Sequence, residues 1–301
     1  MKKILLFMAS LFAGILAWAD QPSVIKVTVN GVSFNMIEVK GGRFNMGGTA
    51  EQYGCEDDEF PIHVVSLDDY FIGETEVTQR LWIAVMGDDN PSGFTGDLDL
   101  PVERVTWNDC QAFAAKLSTL TGMNFRLPTE SEWEFAARGG NNTKLYQYSG
   151  SNDINEVAWY SANSGAQTHK VAQLKPNELG IYDMSGNVFE WVSDYYGDYD
   201  MMPAEAPTGP ESGELRVRRG SCWDGSTNGC RITFRIGDLE NLRYNYFGFR
   251  IAATGLEASI DVTSADAANP ESNGRYNILG QPVSADHKGI VIEDGKKLIQ
   301  R

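Results

Sequence analysis

The sequence predicts an α+β fold: two or three helices around small sheets, then many short strands joined by irregular loop. Three observations carry that expectation. Amphipathic helical segments are confined to residues 78–140. Beyond Gly140 helical periodicity is lost, and Gly-, Asn- and Ser-rich loops alternate with short aromatic strand segments. Composition, with 42% hydrophobic and 22% charged residues over 301, is close to ordinary globular usage of roughly 45–50% and ~25%, which excludes a disordered or collagen-like chain.

The elements follow in order. Lys2 and Lys3 precede an apolar run from Ile4 to Leu16 and then Ala17-Trp18-Ala19, the pattern of an export leader with an A-x-A cleavage site. The run is short of the ~20 residues of a spanning helix. Residues 1–19 are therefore expected to be removed, no transmembrane segment to remain in the mature chain, and the protein to be exported to the periplasm, cell surface or extracellular space. From Val24 to Phe34 apolar residues alternate loosely about an Asn30-Gly31 hairpin turn. Val39 to Gly48 gives a second short hairpin, whose glycines serve turns rather than a phosphate because no helix follows them. Pro61 to Phe71 reads as one strand.

Thr78 caps a helix carrying Leu81, Trp82 and Val85, with Gly87 suited to its end. A second helix runs from about Trp107 to Thr121 and is closed by Gly122. Its stripe of Cys110, Phe113, Ala114 and Leu117 marks Cys110 as a buried free thiol. The third helix has the clearest punctuation, a T-x-x-E capping box from Thr129 to Glu132 and a stop at Gly139-Gly140. Short strands are expected at Trp159-Tyr160, Ile181-Tyr182 and Phe189-Glu190-Trp191. A Ser-, Ala-, Asp- and Asn-rich linker covers residues 256–274 after a main domain of 24–255. Residues 275–301 then form a small β segment with an Asp294-Gly295 turn. This tail resembles short C-terminal β segments of exported Bacteroidetes proteins.

Charge and motif content narrow the function. With 25 Lys+Arg against 41 Asp+Glu the net charge is −16, a surface that repels phosphate backbones and excludes nucleic acid as a partner. Histidine is limited to His63, His169 and His287, none beside a nucleophile motif, and G-x-S-x-G, H-E-x-x-H and Walker patterns are absent. The four cysteines, Cys55, Cys110, Cys222 and Cys230, permit three complete pairings.

Several co-linear segments carry a resemblance. Arg126 to Gly140, Pro176 to Trp191, Gly73 to Thr78, Arg219-Gly220-Ser221 and Gly248-Phe249-Arg250 together resemble the signatures of the formylglycine-generating enzyme or sulfatase-modifying factor domain, from about Phe34 to Ala253. The resemblance implies a variant of the C-type lectin fold. It also implies a choice of functions, because fold alone does not fix activity. The family includes copper oxidases that convert a sulfatase cysteine to formylglycine, iron enzymes making sulfur-containing histidine betaines, gliding or secretion scaffolds, and retroelement-diversified binding proteins. The iron branch carries an H-x-x-x-H-x-E helical domain that is missing here.

In the oxidases two cysteines in C-x-x-x-x-C spacing hold copper, a soft ion that prefers sulfur. Here the matching Cys222 and Cys230 have seven residues between them, and the second glycine of R-G-G-S is missing. Oxidase cysteines on the second and third helices correspond to Ala114 and Ala137. These departures turn the expectation for Cys222 and Cys230 from catalysis to a structural disulfide in an oxidising compartment. By the same resemblance, Asp183, Gly186, Val188 and Glu190 match positions that bind a structural Ca²⁺, which needs six to eight oxygen ligands. The expected function is an exported, non-catalytic binding or scaffold module for a protein or glycan partner. Trp223, Asp224, Arg231 and Arg235 in the segment Ser221 to Arg235 form the candidate contact surface. The competing reading buries Trp223 in the core and pairs both arginines internally. The alternative function is the copper-dependent oxidase.

Overall fold

Asn30 and Gly31 reverse the chain with φ of 47° and 78°, the two positive values that a tight type I′ turn requires. They join β1 (Val24–Val29) to β2 (Val32–Val39), paired from Val29 with Val32 to Val24 with Ile37. The computed structural model describes residues 22–87 and 89–256, together with 275–277, 289–293 and 296–300.

The second expected hairpin is not formed. β3 (Gly42–Met46) pairs with β4 (His63–Leu67), while β2 pairs with β5 (Tyr70–Gly73). Lys40 and Gly41 are a crossing point between two sheets. The Asp69 carboxylate fixes it, accepting from Gly41 N at 2.8 Å and Lys40 Nζ at 3.0 Å. Gly41 is obligatory there, because a Cβ would sit 2.3 Å from Leu67 O. The same corner splits the single strand expected over Pro61 to Phe71 into β4 and β5.

The three expected helices are α1 (Gln79–Met86), α2 (Trp107–Thr121) and, after β6 (Phe125–Arg126), α3 (Glu130–Ala137). Thr78, Thr106 and Thr129 each accept from the backbone N–H three residues on, at 3.2, 3.1 and 3.1 Å. Asp109 and Glu132 return the bond to Thr106 N and Thr129 N. Each such cap contributes about 1 kcal/mol. Sequence periodicity misses α4 (Ile154–Val157), a single turn too short to show it.

The second half supplies β7 (Ala158–Trp159), β8 (Ser185–Gly186), β9 (Phe189–Tyr195), β10 (Ala204–Glu205), β11 (Leu215–Arg219), β12 (Arg235–Leu239), β13 (Phe247–Gly248) and β14 (Ala252–Ala253). The expected strand at Ile181-Tyr182 is instead a local turn, closed by Asn177 N donating to Ile181 O at 2.9 Å. A five-stranded sheet runs β1-β2-β5-β14-β6 and a four-stranded sheet β12-β11-β9-β13, beside the smaller sheets β10-β4-β3 and β7-β8.

Among the described residues two large cores hold these layers, beside a small one around Ile154 and Val157. One packs Val27, Met36 and Phe249 against Trp82 of α1 and Phe113 of α2, whose rings stack at 5.5 Å; Cys110 lies in it, buried as expected. The other surrounds Trp133 and Phe135 of α3 with Val39, Val65, Val192 and Val217. Full burial of such side chains contributes about 1.5–3 kcal/mol each.

A separate C-terminal unit contains the antiparallel strands β15 (Arg275–Asn277), β16 (Gly289–Glu293) and β17 (Lys296–Gln300), in that order, as the sequence pattern expected. The export leader, the linker from residue 257 on and the Asp294-Gly295 turn lie outside the described residues. Among the described residues no helix is long and apolar enough to cross a membrane.

Candidate binding face

The charged residues of the sequence motifs point inward. α3 is buried along its whole length and presents Glu130 and Glu134 to the strands beside it. Arg219, at the end of β11, donates to Glu130 Oε1 at 2.8 Å and Glu134 Oε2 at 2.6 Å. Arg235, opening β12, donates through Nε and Nη2 to the two oxygens of Glu130 at 2.7 and 2.8 Å. Arg138 adds contacts to Glu134 and Glu51 at 2.8 Å each. Arg231 grips both oxygens of Glu59 at 2.6 Å, and neither side chain is exposed. Burial alone would raise the pKa of Glu59, but Arg231 and Thr233 donate to it and hold it at about 2.

Arg231 and Arg235 are therefore not contact residues, which corrects the expected surface. The start of β12 turns Arg235 onto Glu130 and the end of the loop before it turns Arg231 onto Glu59, and a desolvated guanidinium needs such a partner.

What remains outside is the middle of the loop between β11 and β12. The loop leaves through Gly220 and Ser221, with φ of 84° and 68°. A Cβ on Gly220 would meet the Trp133 ring at 3.1 Å, so glycine lets the loop pass over α3. Trp223 is half-buried: its backbone N donates to Asn187 O at 2.8 Å, and its indole donates to Asn245 O at 3.0 Å. The ring meets Phe94 edge-on at 5.5 Å. Ser164 Oγ donates to Trp223 O at 2.7 Å, and Ser161 N to Gly225 O at 3.0 Å. Asp224, Ser226 and Thr227 are exposed on this anchored frame.

Sequence reasoning missed the anchors Phe94, Asn187 and Asn245. The only signals were the turn-rich Asn90-Pro91-Ser92-Gly93 before Phe94 and the position of Asn245 just ahead of Gly248-Phe249-Arg250.

Cys222 and Cys230 are thiols, not the expected disulfide. The Ser221 hydroxyl fills the loop interior, where a Cβ on Gly225 would meet it at 2.1 Å. Burial pushes Cys222 up to about 11 and Cys230 up to about 12. By donor type the pair suits Cu(I), but side chains 4% and 0% exposed offer no accessible copper centre. No catalytic step follows from them.

Of the four residues matched to calcium, Glu190 is committed to an ion pair. Glu190 has both oxygens engaged by Arg250 at 2.6 Å, and Trp133 Nε1 also donates to it at 2.6 Å. Asp183 accepts from Ala172 N at 2.7 Å. Gly186 N donates to Gly220 O at 2.7 Å and Val188 N to Glu76 Oε1 at 3.1 Å, which ties the turn to two neighbouring segments. Among the described residues no group of three or more His, Cys, Asp or Glu side chains is arranged to hold a metal. Glu190 is thus the counter-ion of Arg250 rather than a free ligand, a correction to the expected set. Nearby, burial raises Asp183 to about 6, and burial with the neighbouring Asp183 and Glu190 charges pushes Glu76 well above the usual carboxylate range.

Comparison with known proteins adds a family. A family profile described as the sulfatase-modifying factor enzyme 1-like domain matches residues 26–254. The chain is 36% identical to the chaperone protein LppX of Paenibacillus barcinonensis over 67% of this chain and 83% of that one. It is 28% identical to the inactive C-alpha-formylglycine-generating enzyme 2 of Bos taurus, covering 74% and 89% respectively. Among solved structures, Treponema denticola variable protein 1 superposes with a TM-score of 0.70 at 34% identity, covering 77% of this chain and 99% of that one.

Proposed function

The chain belongs to the sulfatase-modifying factor enzyme 1-like domain family, and on that premise we propose that it is an exported, non-catalytic module that binds a protein or glycan through the loop around Trp223. The fold is that of the formylglycine-generating, C-type-lectin-like group. One observation carries the reading: the motif arginines and both loop cysteines are buried in the scaffold, while Asp224, Ser226 and Thr227 are exposed on a loop whose Trp223 and Gly225 are anchored by hydrogen bonds to three other segments, at 161–164, Asn187 and Asn245. A rigid frame with a polar, aromatic rim suits recognition, since little ordering entropy is lost on binding. A relative named as a chaperone and another named as inactive support a binding role over turnover. The acidic balance of the chain disfavours nucleic acid as the partner.

The test has two arms. A photo-crosslinker at Thr227 in the native envelope should capture a discrete partner, and Asp224→Arg, made with the crosslinker kept at Thr227, should abolish capture without changing the melting curve. Copper-loaded protein should leave a sulfatase-type Cys-x-Pro-x-Arg peptide unchanged. Aldehyde formation that disappears in Cys222→Ser would replace the binding reading with the oxidase.

A further inference from the structure

A cavity of about 310 Å³ lies under the chain that follows β9, bounded also by Met46, His63 and the opening residues of α3. Its floor holds Asp194 and Glu130. Glu130 is neutralised by Arg219 and Arg235. Arg235, the one guanidinium lining the cavity among the described residues, is committed elsewhere: Nε and Nη2 to Glu130, and Nη1 to Asp58 O and Gly197 O. Asp194 is different. It is 3% exposed and forms no ion pair among the described residues. Its Oδ2 accepts from Glu130 N at 2.9 Å and Ser193 Oγ at 2.8 Å, and its Oδ1 has no hydrogen-bond partner among them. Burial pushes this carboxyl up to about 7, so with one oxygen idle on a cavity wall it keeps its charge near neutral pH only when a cation joins it.

We propose that this cavity binds an aliphatic primary ammonium group, the chemistry shared by a lysine side chain and a free alkylamine. The walls suit the stem. The His63 and Tyr199 rings meet tilted at 56° with centroids 4.7 Å apart, and Met46 and Met202 add flexible apolar surface for methylenes. The exposed Asp198 and Asp200 at the lip draw cations toward the opening. The available volume, against ~30 Å³ for one water, admits a stem of five or six heavy atoms. One free oxygen selects ammonium, a point charge with rotatable donors, over guanidinium, whose planar fork is matched by two oxygens. None of these residues belongs to the Trp223 loop, so this site stands or falls separately from that face.

Titration of the full chain by NMR should settle it. n-Butylammonium should shift resonances around Asp194 and Tyr199 to saturation, while n-butanol and n-butylguanidinium bind at least tenfold more weakly. Asp194→Asn should lower ammonium affinity tenfold or more. Since Asp194 also receives the first N–H of α3, the lip variant Asp198→Asn with Asp200→Asn provides a second reading, a loss of severalfold with an unchanged melting curve. A lysine-containing peptide that binds tighter than n-butylammonium assigns the source to a protein, and the reverse order assigns it to a small amine. Equal binding of butanol, or unchanged affinity in the lip variant, overturns the proposal.

Discussion

Arg250 donates through Nε and Nη2 to the two oxygens of Glu190, both at 2.6 Å, and neither side chain is exposed. The same guanidinium reaches Gly73 O and Tyr182 O at 3.0 Å, so one residue joins β9, the end of β5 and the 176–184 loop. Removing one partner strands the other charge without solvent, at a cost of about 3–5 kcal/mol. Arg250→Met should therefore lower unfolding free energy by that order in urea titration, and Glu190→Gln by a similar amount. The double variant should lose much less than the two singles together, because neither charge is then left alone. Strict additivity would show that the pair is not coupled.

This lattice explains what the sequence revealed and what it concealed. Thr129 to Glu132 and Asn30-Gly31 were legible because their partners lie within three residues, where spacing is the signal. The roles of Arg231 and Glu59 were not, since they meet across 172 positions. A surface arginine and a buried one look identical in a single sequence, and here the buried alternative holds. Trp223 and Asp224 were found correctly as loop residues. Their supports, Asn187 and Asn245, are small polar residues whose function exists only once two distant loops meet.

Calcium provides a second test of the same region. With Glu190 held by Arg250, treatment with EDTA should leave the melting temperature unchanged. Saturating a native-state site at 100-fold over Kd would add about 2.7 kcal/mol. A clear fall on chelation, restored by Ca²⁺, would show instead that Asp183 and its neighbours hold the ion and that Glu190 changes partner.

The thiols give a third. Thiolate, not thiol, is the reactive form, and burial holds Cys222 and Cys230 near 11 and 12, with Cys55 also raised to about 11. In native protein at pH 8, Ellman's reagent should label almost none of the four cysteines on the timescale on which it labels all four in guanidinium. Peptide mapping of exported protein that recovers Cys222 linked to Cys230 would contradict this.

The last prediction concerns Glu103, which braces the segment beneath Trp223. Its side chain is fully buried; Oε1 accepts from Phe94 N at 2.7 Å, whereas Oε2 has no hydrogen bond and faces only Arg104 Nε at 4.0 Å. Burial pushes its pKa from 4.5 up to about 7, the N–H groups of Phe94 and Gly93 opposing only part of that rise. The sign follows from linkage. Between these two values the folded protein keeps a proton that the unfolded chain has released, so stability falls as pH rises through this window and levels off above it. Glu103→Gln keeps an acceptor for Phe94 and has no charge to desolvate. Wild type should therefore lose stability relative to this variant between pH 5 and pH 8, measured by paired urea titrations. Because Phe94 packs against Trp223, the fluorescence of that indole should change over the same range in wild type and stay flat in the variant. Parallel stability curves for the two proteins would mean that Glu103 is not the titrating group.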